Sequence, residues 1–309
     1  MTTETETQPG ALISDAAAAA RRLCHEKCPD LSFALYMMPR EHRTPLLVGW
    51  ALIDQLNQVL FSSDEEGGCC GEGGSPAQRR RGVCSAIIAH LFAGEPTGKP
   101  ELDGFAPLAT QLGLSPIPFE QYCDGVAASL VRPRIATWKR FREQTETTAG
   151  VLARLAFQVA VSPEIDDTKQ HQLTAWADAL RLIDELCRLG ETWRTHQRIV
   201  LPLDDLIKFR LSDRDIAQFA ERATCDNDER FKAFIAFEVD RINTLLDGGT
   251  KAWQTASGAA RRAVALFEEG FRRKVQQLTD NADIALSKPA TVGMTGRIGQ
   301  LFGAIRHGA

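Results

Sequence analysis

Three polar side chains interrupt an otherwise apolar helical stretch in VGWALIDQLNQVLFSSDEE, residues 48–66: Asp54, Asn57 and Gln58. Spacings of three and four put them on one stripe of a helix. A buried polar stripe costs free energy unless something satisfies it. It is therefore either a ligand set or one half of a polar seam. A second group lies in LRLIDELCRLGETWRTHQRIVLP, where Asp184, Arg188 and Glu191 share a helical face. The seam reading pairs the first stripe with Arg188, Asp184 or Glu191 on a facing helix, because buried polar groups must find partners. The sharper alternative makes the Arg188 guanidinium a direct binder of an anionic head group.

The chain has eight cysteines. Cys24 and Cys28 in CHEKC could be imagined with Cys69 and Cys70 in EEGGCCGEGG as a four-sulfur site. The Gly-rich segment lacks the two-residue ligand spacing that structural zinc favours, so no metal is expected. The expectation is reduced thiols, with Cys24 and Cys28 on one face of a first helix and the vicinal pair in a mobile loop.

The elements that must carry these groups are helices. Ser14-Asp15 can cap a helix through AAAAARRL, leaving residues 1–14 as a disordered N-terminus. Pro39 in MMPREHR suits a first helical turn, and the pattern then runs to Phe61. Residues 62–82 break it with Gly, charge and a Pro and read as a mobile Gly-rich loop. Helical segments follow near 76–93, 101–112, 116–131, 134–161 and 163–193. After a break at THQRIVLP come LDDLIKF, a helix capped by Ser212, one near 227–246, and a long one over 250–282. LDDLIKF places carboxylates at a helix start, where the dipole favours them. No strand alternation appears, so the class is all-α, one bundle domain over residues 15–289. In the tail, 290–309, Met294, Ile298, Leu301, Phe302 and Ile305 recur at helical spacing. Packing on the bundle is the expected use, with weak peripheral membrane contact as the alternative.

With 309 residues, 44% of them hydrophobic, the chain can bury a large core, and a net charge of −4 gives no reason to expect nucleic acid. No apolar run is long enough to span a bilayer. The start, MTTETETQPG, has the pattern of neither a secretory signal nor a transit peptide. The expectation is a cytoplasmic protein without a transmembrane segment, membrane-peripheral at most.

SFALYMMPREHR, GEPTGKPELDGFAPLATQLGLSPIPFEQYCDGVAASL and, most specifically, QRIVLPLDDLIKFRLSDRDI resemble the squalene/phytoene synthase family, over about Ser32 to residues 286–289. The resemblance implies a helical bundle of the isoprenoid synthase type. It also implies a reaction that condenses two prenyl diphosphates, in which two aspartate-rich motifs on facing helices hold magnesium. Hard divalent cations need such oxygen ligands. Laid on this chain, the first motif's arginine falls on Asp54, its first two aspartates on Asn57 and Gln58, and its last on Phe61. In the second motif the asparagine falls on Asp184 and the aspartates on Arg188 and Thr192, beside Glu191. A register shifted by one offers Leu189 and Trp193. The family's DGMxxDL aspartate is Ser129, and its Tyr-Cys-Tyr is Gln144-Thr145-Glu146. What survives is scaffold: Pro39, Arg40, Glu41, Arg43, Gly150, Arg198, Leu201, Pro202 and Ser212.

The expectation is therefore a non-catalytic member with no metal and no cofactor, binding an isoprenoid or other lipid in its helical cavity, or a catalytic family relative as partner. Arg188, Arg40 and Arg198 are the candidates for an anionic head group. One alternative is an active, magnesium-dependent prenyltransferase acting on farnesyl or geranylgeranyl diphosphate, or an isoprenoid hydrolase with a rearranged site. The other is a purely structural or assembly protein.

Overall fold

Fifteen α-helices account for most of the described residues of the computed structural model, which are 9–62, 75–131 and 134–287. In chain order they are α1 (Pro9–Lys27), α2 (Pro29–Tyr36), α3 (Arg40–Leu60), α4 (Pro76–Phe92), α5 (Pro100–Asp103), α6 (Phe105–Leu112), α7 (Ile117–Val131) and α8 (Trp138–Glu146). They continue as α9 (Ala149–Ala160), α10 (Asp167–Cys187), α11 (Leu189–His196), α12 (Leu203–Lys208), α13 (Asp213–Arg222), α14 (Glu229–Gly249) and α15 (Gly258–Asp280). Short 3-10 turns at Thr250–Thr255 and Ala282–Ala285 complete the set. No strand occurs among the described residues. The all-α bundle expected from periodicity is the fold.

Local chemistry starts most of these helices. Ser75 and Gln78 form a capping box ahead of Pro76, Ser212 and Asp215 form another, and Asp166, Asp228 and Ser257 cap α10, α14 and α15. Two boundaries differ from expectation. α1 begins at Pro9 rather than at the Ser14-Asp15 cap. Ile13 packs on the core and the α1 backbone at Leu12 lies against Gly104, so burial extends the helix past the polar pair. Residues 76–82, assigned both to the end of the mobile loop and to the start of a helix near 76–93, are the opening turns of α4, because the Ser75 box and Pro76 nucleate it. Residues 1–8, the Cys69-Cys70 pair and the 290–309 tail lie outside the described residues.

Four helices expected to be continuous are broken: at Gly104 between α5 and α6, after the 250–255 turn that precedes α15, and at two further points. Between α8 and α9, the hydroxyls of Thr147 and Thr148 donate back to the Gln144 carbonyl at 3.1 and 2.7 Å, competing with helical backbone bonds. There the backbone sits directly on α7: a Cβ on Gly125 would fall 2.4 Å from the Thr147 carbonyl oxygen. The other of these two points is Arg188, which ends α10 and starts α11 with φ −112° and ψ 8°.

α10 runs through the centre of the bundle, packed by α8, α9, α14 and α15. Trp176 meets Trp253 at 5.3 Å between ring centroids, and Phe157 meets Trp253 at 5.4 Å, tying α9 and α10 to the 250–255 turn. A second aromatic cluster, Phe92, Phe105 and Phe119, joins α4, α6 and α7. α3 lies against α1, α4, α5, α7 and α9.

Candidate functional site

The α3 stripe is satisfied from α1 and α7. Asp54 accepts from Lys27 Nζ at 2.6 Å and from Gln58 Nε2 at 2.7 Å. Lys27 is the last residue of α1, where a cation complements the helix dipole. Asn57 Oδ1 accepts from the Tyr122 hydroxyl at 2.7 Å. Tyr122 is buried, which pushes its phenol up to about 12 and keeps it a donor. Phe61 follows the end of α3 and is 60% exposed.

These partners correct the expected seam. Arg188 Nε donates to Glu191 Oε2 at 2.9 Å and its Nη1 lies 3.8 Å from Asp184 Oδ2, both within one turn of itself. No hydrogen bond or ion pair among the described residues joins Asp54, Asn57 or Gln58 to Asp184, Arg188 or Glu191. The reason is packing: α1 and α7 are among the helices packed on α3, and the stripe meets Lys27 and Tyr122 on them. Thr192 follows Glu191 on α11. Arg40 donates to Ser14 on α1 at 3.4 Å and Arg198 to the Ser129 carbonyl at 2.7 Å, so no contact joins Arg40, Arg188 and Arg198 to one another.

Sequence reasoning missed a buried polar chain in the bundle. It runs along α10 on Asp178, Arg181 and Glu185, whose spacings of three and four were the readable signal. Arg181, its side chain 14% exposed, donates to Gln144 Oε1 at 2.8 Å and Thr145 Oγ1 at 3.1 Å, and stacks on Phe141 at 4.6 Å. Asp178 is fully buried and accepts from Arg142 at 2.9 Å. Burial pushes its carboxyl up to about 6 against the pull of Arg142. Glu185 lies 3.8 Å from Arg181, and burial outweighs that arginine to push it up to about 7. Arg198, whose charge also acts on Glu185, keeps a buried Nε with no hydrogen-bond partner.

The acidic pair of LDDLIKF is a clasp rather than a ligand set. Asp205 grips Arg241 of α14 through both oxygens at 2.8 and 2.6 Å, and Arg241 also meets the buried Glu238 at 3.0 Å. Its guanidinium covers Trp138 at 4.2 Å. Asp204 accepts from the Trp138 backbone amide at 3.3 Å. α12 thus fastens α8 to α14.

A magnesium cluster on the two motifs does not fit this donor set. Lys27 and Gln58 occupy Asp54, and Arg188 occupies Glu191 and faces Asp184. Among the described residues no three His, Cys, Asp or Glu side chains converge on a metal position. Cys24 and Cys28 form no disulfide, and Cys24 Sγ points at the Cys28 carbonyl at 4.0 Å.

A family model described as squalene/phytoene synthase matches residues 72–294. Among solved structures the chain is similar to the squalene synthase HpnC from Alicyclobacillus acidocaldarius, at 18% identity and TM-score 0.72, over 90% of this chain and 97% of that one. It is similar to a dehydrosqualene synthase solved with a ligand, at 12% identity and TM-score 0.81, over 97% and 99%. It is also similar to YisP from Bacillus subtilis subsp. subtilis strain 168, at 10% identity and TM-score 0.69, over 96% and 99%. At such identities these likenesses establish the fold. No curated protein sequence matches the chain.

Proposed function

The chain belongs to the squalene/phytoene synthase family, and from that premise we propose that it is a non-catalytic member that binds an isoprenoid with an anionic head group without magnesium. The observation that carries this reading is the pairing of Arg188 with Glu191 at 2.9 Å and the hydrogen bond of 2.7 Å from the Tyr122 hydroxyl to Asn57, because the resemblance calls for metal-binding aspartates at positions 188 and 57. Losing a metal removes its stabilisation of a departing diphosphate, which is worth several kcal/mol. Each 1.36 kcal/mol is about tenfold in rate.

The same residues support binding. Arg188 is 50% exposed and its ion pairs are solvent-screened, so exchanging them for a diphosphate costs at most about 1 kcal/mol. Its fork then meets phosphate oxygens directly. Arg198, with its unpaired Nε, is the second donor in this proposal. No described helix is long and apolar enough to cross a membrane.

Incubation with farnesyl or geranylgeranyl diphosphate, with magnesium and with a chelator, tests the reading by product analysis and native mass spectrometry. The expected result is a one-to-one adduct in both conditions, weakened in Arg188→Gln, with no diphosphate released. Squalene, phytoene or a cyclopropyl intermediate formed at enzyme-like rates would overturn it.

A further inference from the structure

On the opposite side of α1 from its packed face, Arg21, Arg22 and His25 line a cleft of about 430 Å³ against α2. The buried face of α1 is Ala16, Ala20 and Cys24, so these three side chains point outward and are exposed. Arg21 and His25 stand one turn apart on the same face of α1. Among the described residues Arg21, Arg22 and His25 make no ion pair, and Glu26, the acid in the lining, forms none either. In a chain of net charge −4 this is a local cationic excess.

The other wall is apolar and held in place. Pro29, Phe33 and Tyr36 of α2 line it. The Tyr36 ring is 59% exposed yet held between the guanidinium groups of Arg21 and Arg43, 5.5 and 5.6 Å from its centroid. Arg43 also donates to the Tyr36 carbonyl at 3.2 Å, which fixes the end of α2 against the start of α3. Such cation–π contacts give the ring an ordered position.

We infer that the α1–α2 cleft is an anion site for a phosphate ester, with Arg21, Arg22 and His25 on the phosphate and Pro29, Phe33 and Tyr36 against the ester's non-polar part. Guanidinium forks match phosphate oxygens in geometry as well as charge. The volume lies within the range of small-ligand pockets, about 300–1,000 Å³. None of Arg181, Arg188 or Arg198 lines the cleft, so the site stands independently of the function proposed above.

The test uses the full chain with two probes, and two sources of the same phosphate chemistry are thereby separated. Inorganic diphosphate is titrated calorimetrically in the presence of a chelator. Vesicles of phosphatidic acid in phosphatidylcholine, and of phosphatidylcholine alone, are used in flotation. In the Arg188→Gln background, which removes the head-group donor proposed above, Arg21→Gln/Arg22→Gln should weaken binding at least tenfold, whereas Arg222→Gln, an exposed arginine outside both sites, should leave it unchanged. His25→Gln is the second exposed variant and should weaken it in the same direction, with thermal melts confirming that each variant is folded. Diphosphate binding without flotation identifies a soluble ester, and flotation that needs phosphatidic acid identifies a lipid head group. Absence of saturable binding to both probes in that background overturns the site, as does binding that survives both α1 variants.

Discussion

The amine of Lys27, 2.6 Å from Asp54, sets the character of the α3 stripe, because it supplies in advance the positive charge that a carboxylate there would otherwise attract. Arg188 does the same for Asp184 and Glu191. Deeper in the bundle the carboxylate of Glu185 makes stability depend on pH. Burial lifts it to about 7, above an unfolded value near 4.3, so between those values the native state binds more protons than the unfolded one. Its contribution to stability is thus full below about pH 4 and is lost as the pH rises through 7. Glu185→Gln removes this slope. Urea denaturation at pH 4.5 and 8 should show the variant gaining on the wild type by on the order of 2 kcal/mol across that interval. Parallel profiles for the two proteins would show that Glu185 ionises as freely in the folded state as in the unfolded one.

At the scale of elements, the α10–α11 break depends on one residue without a side chain. A Cβ on Gly190 would lie 2.0 Å from the Leu286 carbonyl oxygen and 2.5 Å from its carbon, so the segment after α15 packs directly on the start of α11. Arg194 secures the same junction by donating to the carbonyls of Leu286 at 2.8 Å and Ser287 at 2.6 Å. Gly190→Ala must push two backbones apart and is expected to cost about 1–3 kcal/mol, the usual range for overpacking. Gly248→Ala, also in a helix but with nothing within 4 Å, should be neutral or stabilising by a few tenths of a kcal/mol. Urea midpoints of the two variants, at unchanged m-value, check the contrast. Equal effects would mean that the Leu286 contact does not hold the junction.

For the molecule as a whole, the buried apolar residues form one cluster that runs from Ala16 on α1 to Leu286 beyond α15. α10 carries contacts from α8, α9, α14 and α15, so its loss would strip all four of their packing. A shared core of this kind couples the elements in unfolding even though chains of this length commonly populate intermediates. The five tryptophans sit on α3, α8, α10, α11 and the 250–255 turn, and their fluorescence therefore samples the whole bundle. Thermal or urea unfolding followed by fluorescence and by far-ultraviolet circular dichroism should give coincident transitions. Separated midpoints would divide the bundle into independently stable parts.

The sequence by itself determined the helical class, most helix positions and the Ser212 cap, because 3.6-residue periodicity and capping chemistry act within a few residues of one another. It also determined which positions are polar within apolar helices, so Asp54, Asn57 and Gln58 were legible as a stripe, and the 178–181–185 run on α10 was equally open to reading. Tertiary structure alone decided what those stripes touch. Lys27 reaches Asp54 from twenty-seven positions away and Tyr122 reaches Asn57 from sixty-five, and only the choice of α1 and α7 as neighbours of α3 brings them there. The helix breaks at Thr147 and Arg188 were hidden for the same reason: the backbones crowding them belong to α7 and to the segment after α15. A residue's type states what partner it needs, whereas packing between distant helices decides which partner arrives, and that selection carries no local signature.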